Sequence, residues 1–254
     1  MPESVIAAQL YTLREYTRTP VEIAETLNKV KALGYDAVQL SALGPIDPGA
    51  LKRMLDDAGL AVCATHVSYE RLRDDTAAVL DEHRLWICRH TAIGGLPDAY
   101  KNRDGYYRFA REASEVARRL VNAGVTFSYH NHSFELEKYD GRTGLAILYE
   151  ESAADVFTSE IDTYWLQHGG ADPAQWIRRL QHRAPLVHLK DMAVKDNTPI
   201  MAEVGEGNMN WPDILAACRE AGVRWYIVEQ DVCLRDPFES LGISLRNLRA
   251  MGLH

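Results

Sequence analysis

The chain has 254 residues, 46% of them apolar and 25% charged, an ordinary globular composition that excludes disorder, collagen-like repeats and coiled coil. Its 28 Lys and Arg stand against 36 Asp and Glu, a formal net charge of −8, which argues against nucleic acid as a partner. No run approaches the roughly 20 apolar residues of a membrane-spanning helix. The N-terminus, MPESVIAAQLYTLREY, lacks the basic-then-apolar order of a signal peptide, so the expectation is a cytoplasmic protein. Four scattered cysteines (Cys63, Cys88, Cys218, Cys233), none in a CxxC pair, read as reduced, buried thiols.

In chain order, short apolar runs with strand character fall at Val5–Leu10, Ala37–Leu40, Ala61–His66, Trp86–Ile93, Thr126–His130, Val156–Asp162, Leu186–Leu189 and Trp225–Glu229. An amphipathic run follows each: Pro20–Leu33, Pro48–Ala58, Tyr69–Arg84, Gly105–Ala123, Gly141–Glu151, Pro173–Gln181, Trp211–Ala221 and Pro237–Met251. The segments KALGYDAVQL, LDDAGLAVCAT, LVNAGVTFSYH and CREAGVRWYIVE each read as helix, glycine, buried strand, because glycine readily takes the left-handed turn that ends a helix. Alternating strands and helices imply a parallel sheet with right-handed crossovers. Eight such units in a chain of this length predict a (β/α)8 TIM barrel, one domain over residues 1–254. The rival doubly wound sheet expects a glycine-rich first turn, and here that turn, LYTLREYTRTP, has no glycine. The long connection Asp191–Asn210 stands out as functional.

A TIM barrel does its chemistry at the carboxyl ends of its strands. The third strand ends in His66. The fifth ends in His130, His132 and Glu135, and the sixth in Glu160 and Asp162. The seventh ends in His188, Lys190 and Asp191, and the eighth in Glu229 and Asp231. Side chains alternate along a strand, so His130 and His132 share a face, as do Glu160 and Asp162, and His188 and Lys190. Charged groups in strands buried on both faces are costly unless paired or metal-bound. Converging Asp, Glu and His are hard-to-borderline ligands that suit one divalent ion, Mn, Co, Mg, Fe or Zn. A layer of ion pairs without metal is the alternative. His83, His90, His182 and His254 read as core or surface histidines, and His168 is placed at the rim only by proximity. No G-x-S-x-G elbow supports a serine nucleophile. VGEGN (Val204–Asn208) reads as a tight turn reaching substrate through Glu206 or Asn208. Trp165, Tyr164 and Tyr11 could stack on a sugar, and Gln9 and Gln39 could bond its hydroxyls.

The segments YHNHSFELEKYDGRTG, EIDTYWLQHGGADPAQWI, LVHLKDM, EVGEGNMNW and WYIVEQD, in that order and at matching strand ends, resemble the sugar phosphate isomerase/epimerase superfamily, the xylose isomerase-like barrels. The resemblance implies a divalent metal held from strands five to eight. Asp162, His188 and Glu229 match the ligand positions, whereas the strand-five position departs from the glutamate often found there. His130, His132 or Glu135 reaching back would be the fourth ligand, with His130 favoured by position. The implied substrate is a sugar or cyclitol carrying a carbonyl, and the implied reaction an isomerisation or epimerisation through an enediolate. Glu229, His66 and His132 are then the acid/base candidates, and Lys190 the group that meets an oxyanion. Glu135, Trp165 and Glu206 are the substrate-contact candidates. A dehydratase or lyase on a keto-sugar or keto-inositol is the runner-up, ahead of a sugar-binding barrel without catalysis.

Overall fold

The computed structural model describes residues 5–254. Eight parallel strands close into a barrel: β1 (Val5–Gln9), β2 (Ala37–Leu40), β3 (Ala61–His66), β4 (His90–Ile93), β5 (Thr126–His130), β6 (Phe157–Asp162), β7 (Leu186–Leu189) and β8 (Trp225–Val228), with β1 hydrogen-bonded to both β2 and β8. Helices surround it: α1 (Pro20–Leu33), α2 (Pro48–Ala58), α3 (Tyr69–Asp74), α4 (Thr76–Trp86), α5 (Arg103–Asn122), α6 (Gly144–Glu151), α7 (Thr163–His168), α8 (Pro173–Arg179), α9 (Trp211–Ala221) and α10 (Pro237–Ala250). This is the TIM barrel that the alternation predicts. Among the described residues no helix is long and apolar enough to cross a membrane.

Alternation along each strand sorts its residues. Val38, Leu40, Phe127, Tyr129, Phe157, Ile161, Val187, Leu189, Tyr226 and Val228 join the apolar layer shared with the helices. The opposite face starts with Ala7, Ala37, Ala64, Leu186 and Ile227, joined by Cys63 where β3 slips one residue against β2, and with buried Ser128 bonded to Thr158 at 2.7 Å. It turns polar toward the carboxyl ends, where Gln9, Gln39, His130, Glu160, Asp162, His188, Lys190 and Glu229 are all buried. Burying these groups costs free energy unless they satisfy one another, and that sets the character of the barrel mouth.

Several boundaries differ from the sequence reading. The run Trp86–Ile93 is not one strand. Trp86 ends α4, Ile87 takes the left-handed conformation at φ 57°, and its N–H bonds back to Arg84 and His83 before β4 begins at His90. Helix end and strand are both apolar there, so hydrophobicity alone shows no break. The run Tyr69–Arg84 is two helices, because Asp75 leaves helical geometry (φ −129°, ψ 39°). The segment from Gly141 enters α6 only at Gly144, after a small hairpin pairing Lys138–Tyr139 with Arg142–Thr143. The helix α7, directly after β6, was not expected.

The connection after β7 is built rather than loose. Asp191–Lys195 pairs antiparallel with Thr198–Ala202, across a turn whose Asp196 and Asn197 both have positive φ, 50° and 60°, the mirror-image turn that suits hairpins. Asp191 then gathers the rest of the segment. Its carboxylate accepts the N–H groups of Met192, Gly205, Gly207 and Met209, and the Trp211 indole Nε1–H at 2.5 Å. A Cβ on Gly207 would lie 2.3 Å from Asp191 Oδ1, so this glycine is required by close approach. The four cysteines are free, three of them buried and Cys233 half-buried.

Candidate active site

The carboxyl end of β5 carries His-Asn-His, and alternation divides their work. Asn131 is buried and clamps the next strand: its Oδ1 accepts the Asp162 N–H at 3.0 Å. His130 and His132 flank it, their rings 5.0 Å apart edge to face. Thr163, one residue beyond Asp162, locks β6 to β7, donating to the His188 and Lys190 carbonyls and accepting the Lys190 N–H at 3.0 Å. The backbone beneath Asp162, His188 and Lys190 is thereby fixed. The register sets His130 beside Glu160, and Asp162 beside His188.

His130, Asp162, His188 and Glu229 are all buried, and each offers a ligand atom within 4.8 Å of the other three. His188 is held from both sides. Its Nδ1 lies 2.7 Å from Glu229 Oε2, and its Nε2 lies 2.7 Å from Gln39 Oε1 and 3.3 Å from Glu160 Oε2. Gln39 in turn donates to Glu160 Oε1 at 2.7 Å and accepts from Gln9 at 2.9 Å. His66 Nε2 reaches Glu160 Oε2 at 2.5 Å, with its ring stacked 5.5 Å from that of His188. Lys190, 1% exposed, sets its Nζ 2.6 Å from Glu229 Oε2, 2.9 Å from Asp162 Oδ2 and 3.0 Å from Asp231 Oδ2.

The charges follow from these contacts. Burial opposes charge on Glu229, yet Lys190 and His188 overcome it and hold the carboxyl well below its ordinary range. Burial likewise disfavours the His188 cation, but Glu160 and Glu229 on either side hold its pKa up to about 10. Glu160 is kept ionised against its burial by His188 and His66. Asp162 is pushed up to about 6 by burial, against the pull of Lys190. His132 is pushed down to about 4 by burial and then by Lys190, and His130 falls well below its usual value through burial and the neighbouring His188 and His66. Both are therefore neutral imidazoles at pH 7, the form that binds a metal or takes a proton.

These residues fit a divalent ion. Two imidazoles and two carboxylates are a suitable donor set. His188 would offer Nδ1 on the cluster side once a cation displaces the proton it shares with Glu229, while Glu160 and Gln39 steady its far nitrogen, as outer carboxylates do for metal-bound histidines. His130 is under-bonded for a buried imidazole. Its one hydrogen-bond contact, from Nε2 to Asp162 Oδ2, is long at 3.3 Å and its Nδ1 has no partner, so the ring is free to give a nitrogen to a cation.

The structure brings six of the sequence-derived residues together: His66, His130, Asp162, His188, Lys190 and Glu229. His132 adjoins them, its Nδ1 buried and unpartnered, and Trp165 stands 5.5 Å from its ring. Two residues lie elsewhere. Glu135 is fully buried behind β5, accepting from the Tyr129 hydroxyl at 2.7 Å and the His132 N–H at 2.8 Å. Glu206 is exposed and accepts from Asn247 Nδ2 at 2.8 Å. His168 is exposed beside Tyr164. Glu160 and Asp231, which the sequence places at the rim without a role, hold places in the network, as does Gln39, which is not free for substrate hydroxyls but buried and bonded to Gln9, Glu160 and His188. The signal for Glu160 was available, since it lies two residues before Asp162 on one strand face.

Residues 27–251 match the family described as the xylose isomerase-like TIM barrel, and the chain belongs to that family. It is 24% identical over 250 residues to the rhizopine catabolism protein MocC of Rhizobium meliloti, spanning 84% of this chain and 75% of MocC. A solved sugar phosphate isomerase/epimerase from Parabacteroides distasonis superposes with a TM-score of 0.81 at 23% identity, covering 98% of this chain and 95% of its own. A solved L-ribulose 3-epimerase gives 0.72 at 18% identity over 98% and 94%. At these identities the structural likeness is one of fold.

Proposed function

We propose that this barrel is a divalent-metal-dependent isomerase or epimerase acting on a small polyhydroxylated carbonyl compound, a sugar or cyclitol. The observation that carries this reading is the buried convergence of His130, Asp162, His188 and Glu229 at the barrel mouth, four ligand atoms within 4.8 Å of one another. Bound there, a divalent cation would polarise a carbonyl and its neighbouring hydroxyl and so acidify the adjoining C–H.

The chain's own groups divide the remaining work. Glu160 accepts from His66 Nε2 and so fixes that ring and its tautomer, leaving His66 oriented as an acid/base group. His132, neutral and with an unpartnered Nδ1, faces the mouth from strand five as the second acid/base group. Lys190 meets negative charge developing on a substrate oxygen, and Trp165 beside His132 offers an apolar face for sugar C–H bonds. Proton return to the neighbouring carbon gives isomerisation. Return to the opposite face of the same carbon gives epimerisation, and loss of a β-hydroxyl gives dehydration.

The test is elemental analysis of the purified protein beside His188→Ala. About one Mn, Co, Fe, Mg or Zn per chain, lost in the variant, is expected. Ketoses, 3-keto-sugars and inososes are then screened in deuterated water for C–H exchange. No metal in either protein after reconstitution overturns the reading. Loss of water from an inosose in place of exchange moves the reaction to the lyase class.

A further inference from the structure

One contact in the mouth is not explained by catalysis alone. Lys190 Nζ touches Glu229 Oε2 at 2.6 Å and Asp162 Oδ2 at 2.9 Å. These are the same two oxygens that face His188 Nδ1 and His130 Nε2. A lysine ammonium hydrogen-bonded to that pair and a divalent ion bound through it are like charges on the same atoms, and they repel. We propose that Lys190 is a tethered competitor for the cation site: with Asp231 as its alternative seat, it sets how tightly the cluster holds a divalent ion. The inference rests on the metal-site reading above.

Three further observations support it. Lys190 is 1% exposed, so its charge is not diluted by solvent. Its backbone is fixed on both sides by the Thr163 hydroxyl, which leaves only the four-carbon side chain free to change partner. The alternative partner is already in contact. Asp231 offers Oδ2 at 3.0 Å and Oδ1 at 3.3 Å. Asp231 is itself pinned, its carbonyl accepting from Arg14 Nη2 at 2.8 Å, and its side chain is 26% exposed against 0% for Asp162 and 4% for Glu229. A lysine drawn toward Asp231 keeps an ion pair and frees the two buried oxygens. Without Lys190, Asp162 and Glu229 lose their counter-charge, so the metal-free protein becomes less stable and the cluster more attractive to a cation.

The experiment is calorimetric titration of chelator-stripped, full-length protein with Co²⁺ in four forms: wild type, Lys190→Met, Asp231→Asn and the double variant. Lys190→Met is expected to bind at least tenfold more tightly than wild type. Asp231→Asn is expected to bind at least threefold more weakly, because the lysine then has only the ligand oxygens to hold. In the Lys190→Met background the Asp231→Asn effect should shrink to within twofold, a coupling that a purely structural role for either residue would not produce. Should Lys190→Met not fold, Lys190→Gln, which keeps a hydrogen-bonding head without the charge, carries the same expectation. Co²⁺ binding by Lys190→Met no tighter than by wild type, or an equal Asp231→Asn effect in both backgrounds, overturns the inference alone. No Co²⁺ bound by any form, wild type included, rejects the metal-site reading and the inference with it.

Discussion

Asp162 Oδ1 accepts the backbone N–H of Trp165 at 2.9 Å, while its Oδ2 faces Lys190 and His130. One carboxylate thus caps α7 and joins the candidate metal cluster. The two duties separate by substitution. Asp162→Ala and Asp162→Asn should both lose metal retention, but asparagine keeps an acceptor for the Trp165 N–H. In urea denaturation of chelated proteins, Asp162→Ala should be less stable than Asp162→Asn by about 1 kcal/mol, the usual worth of such a cap. Coincident melts would show that the cap contributes nothing.

Glu160 supports His188 from behind, at 3.3 Å from its Nε2. Glu160→Gln preserves shape and removes the charge that orients both His188 and His66. Metal affinity should fall roughly 10- to 100-fold, as for other outer partners of metal-bound histidines, with the barrel still folded by circular dichroism. Unchanged affinity in a titration would remove Glu160 from this role.

Glu135 carries a pH signature. Burial dominates its two hydrogen bonds and pushes its carboxyl up to about 7 from an ordinary 4.5. The folded state therefore prefers it protonated. Its contribution is fully present below pH 4.5 and is lost as pH rises toward 7, on the order of 3 kcal/mol across that window. Glu135→Gln should remove this slope, seen as denaturant midpoints that differ less between pH 4.5 and pH 7.5 than those of wild type. Parallel profiles would contradict it.

Asp191 takes five donors on two oxygens. Asp191→Asn turns one acceptor into a donor facing N–H groups, each costly to leave unpaired. A loss of at least about 3 kcal/mol is expected in urea unfolding. A loss below 1 kcal/mol would mean that the segment after β7 is held by its hairpin instead.

The barrel and most of its mouth were legible in the sequence because both depend on short-range pattern. A glycine ends a helix locally, and a strand two residues longer places the next side chain on the same face. Asp162, His188, Glu229 and His130 follow from that rule. Glu135 does not, since its surroundings are made by Tyr129 on the outer face of β5 and by a backbone N–H turned back onto it, neither visible from spacing. Glu206 looked like a substrate contact because the segment is glycine-rich. Those glycines instead let the backbone approach Asp191, and Glu206 is left to Asn247 in solvent. The false start of β4 at Trp86 has a similar origin: Ile87, with a left-handed backbone and 76% exposed, sits inside an apolar run that hides the helix end.

The apolar floor inside the barrel has its own consequence. Ala7, Ala37, Cys63, Ala64, Leu186 and Ile227, none more than 1% exposed, put no carboxylate or imidazole beneath the mouth, and the hydroxyls on the same inward face, Ser128 and Thr158, are bonded to each other at 2.7 Å, with Thr158 committed to the Phe127 carbonyl. On the proposed chemistry, a proton lifted from a substrate carbon is therefore held among the groups of the mouth while substrate is seated. Where one group both takes and returns it, as in isomerisation, product formed in heavy water would keep a share of the substrate's own protium, and that share would grow as turnover outpaces opening of the mouth.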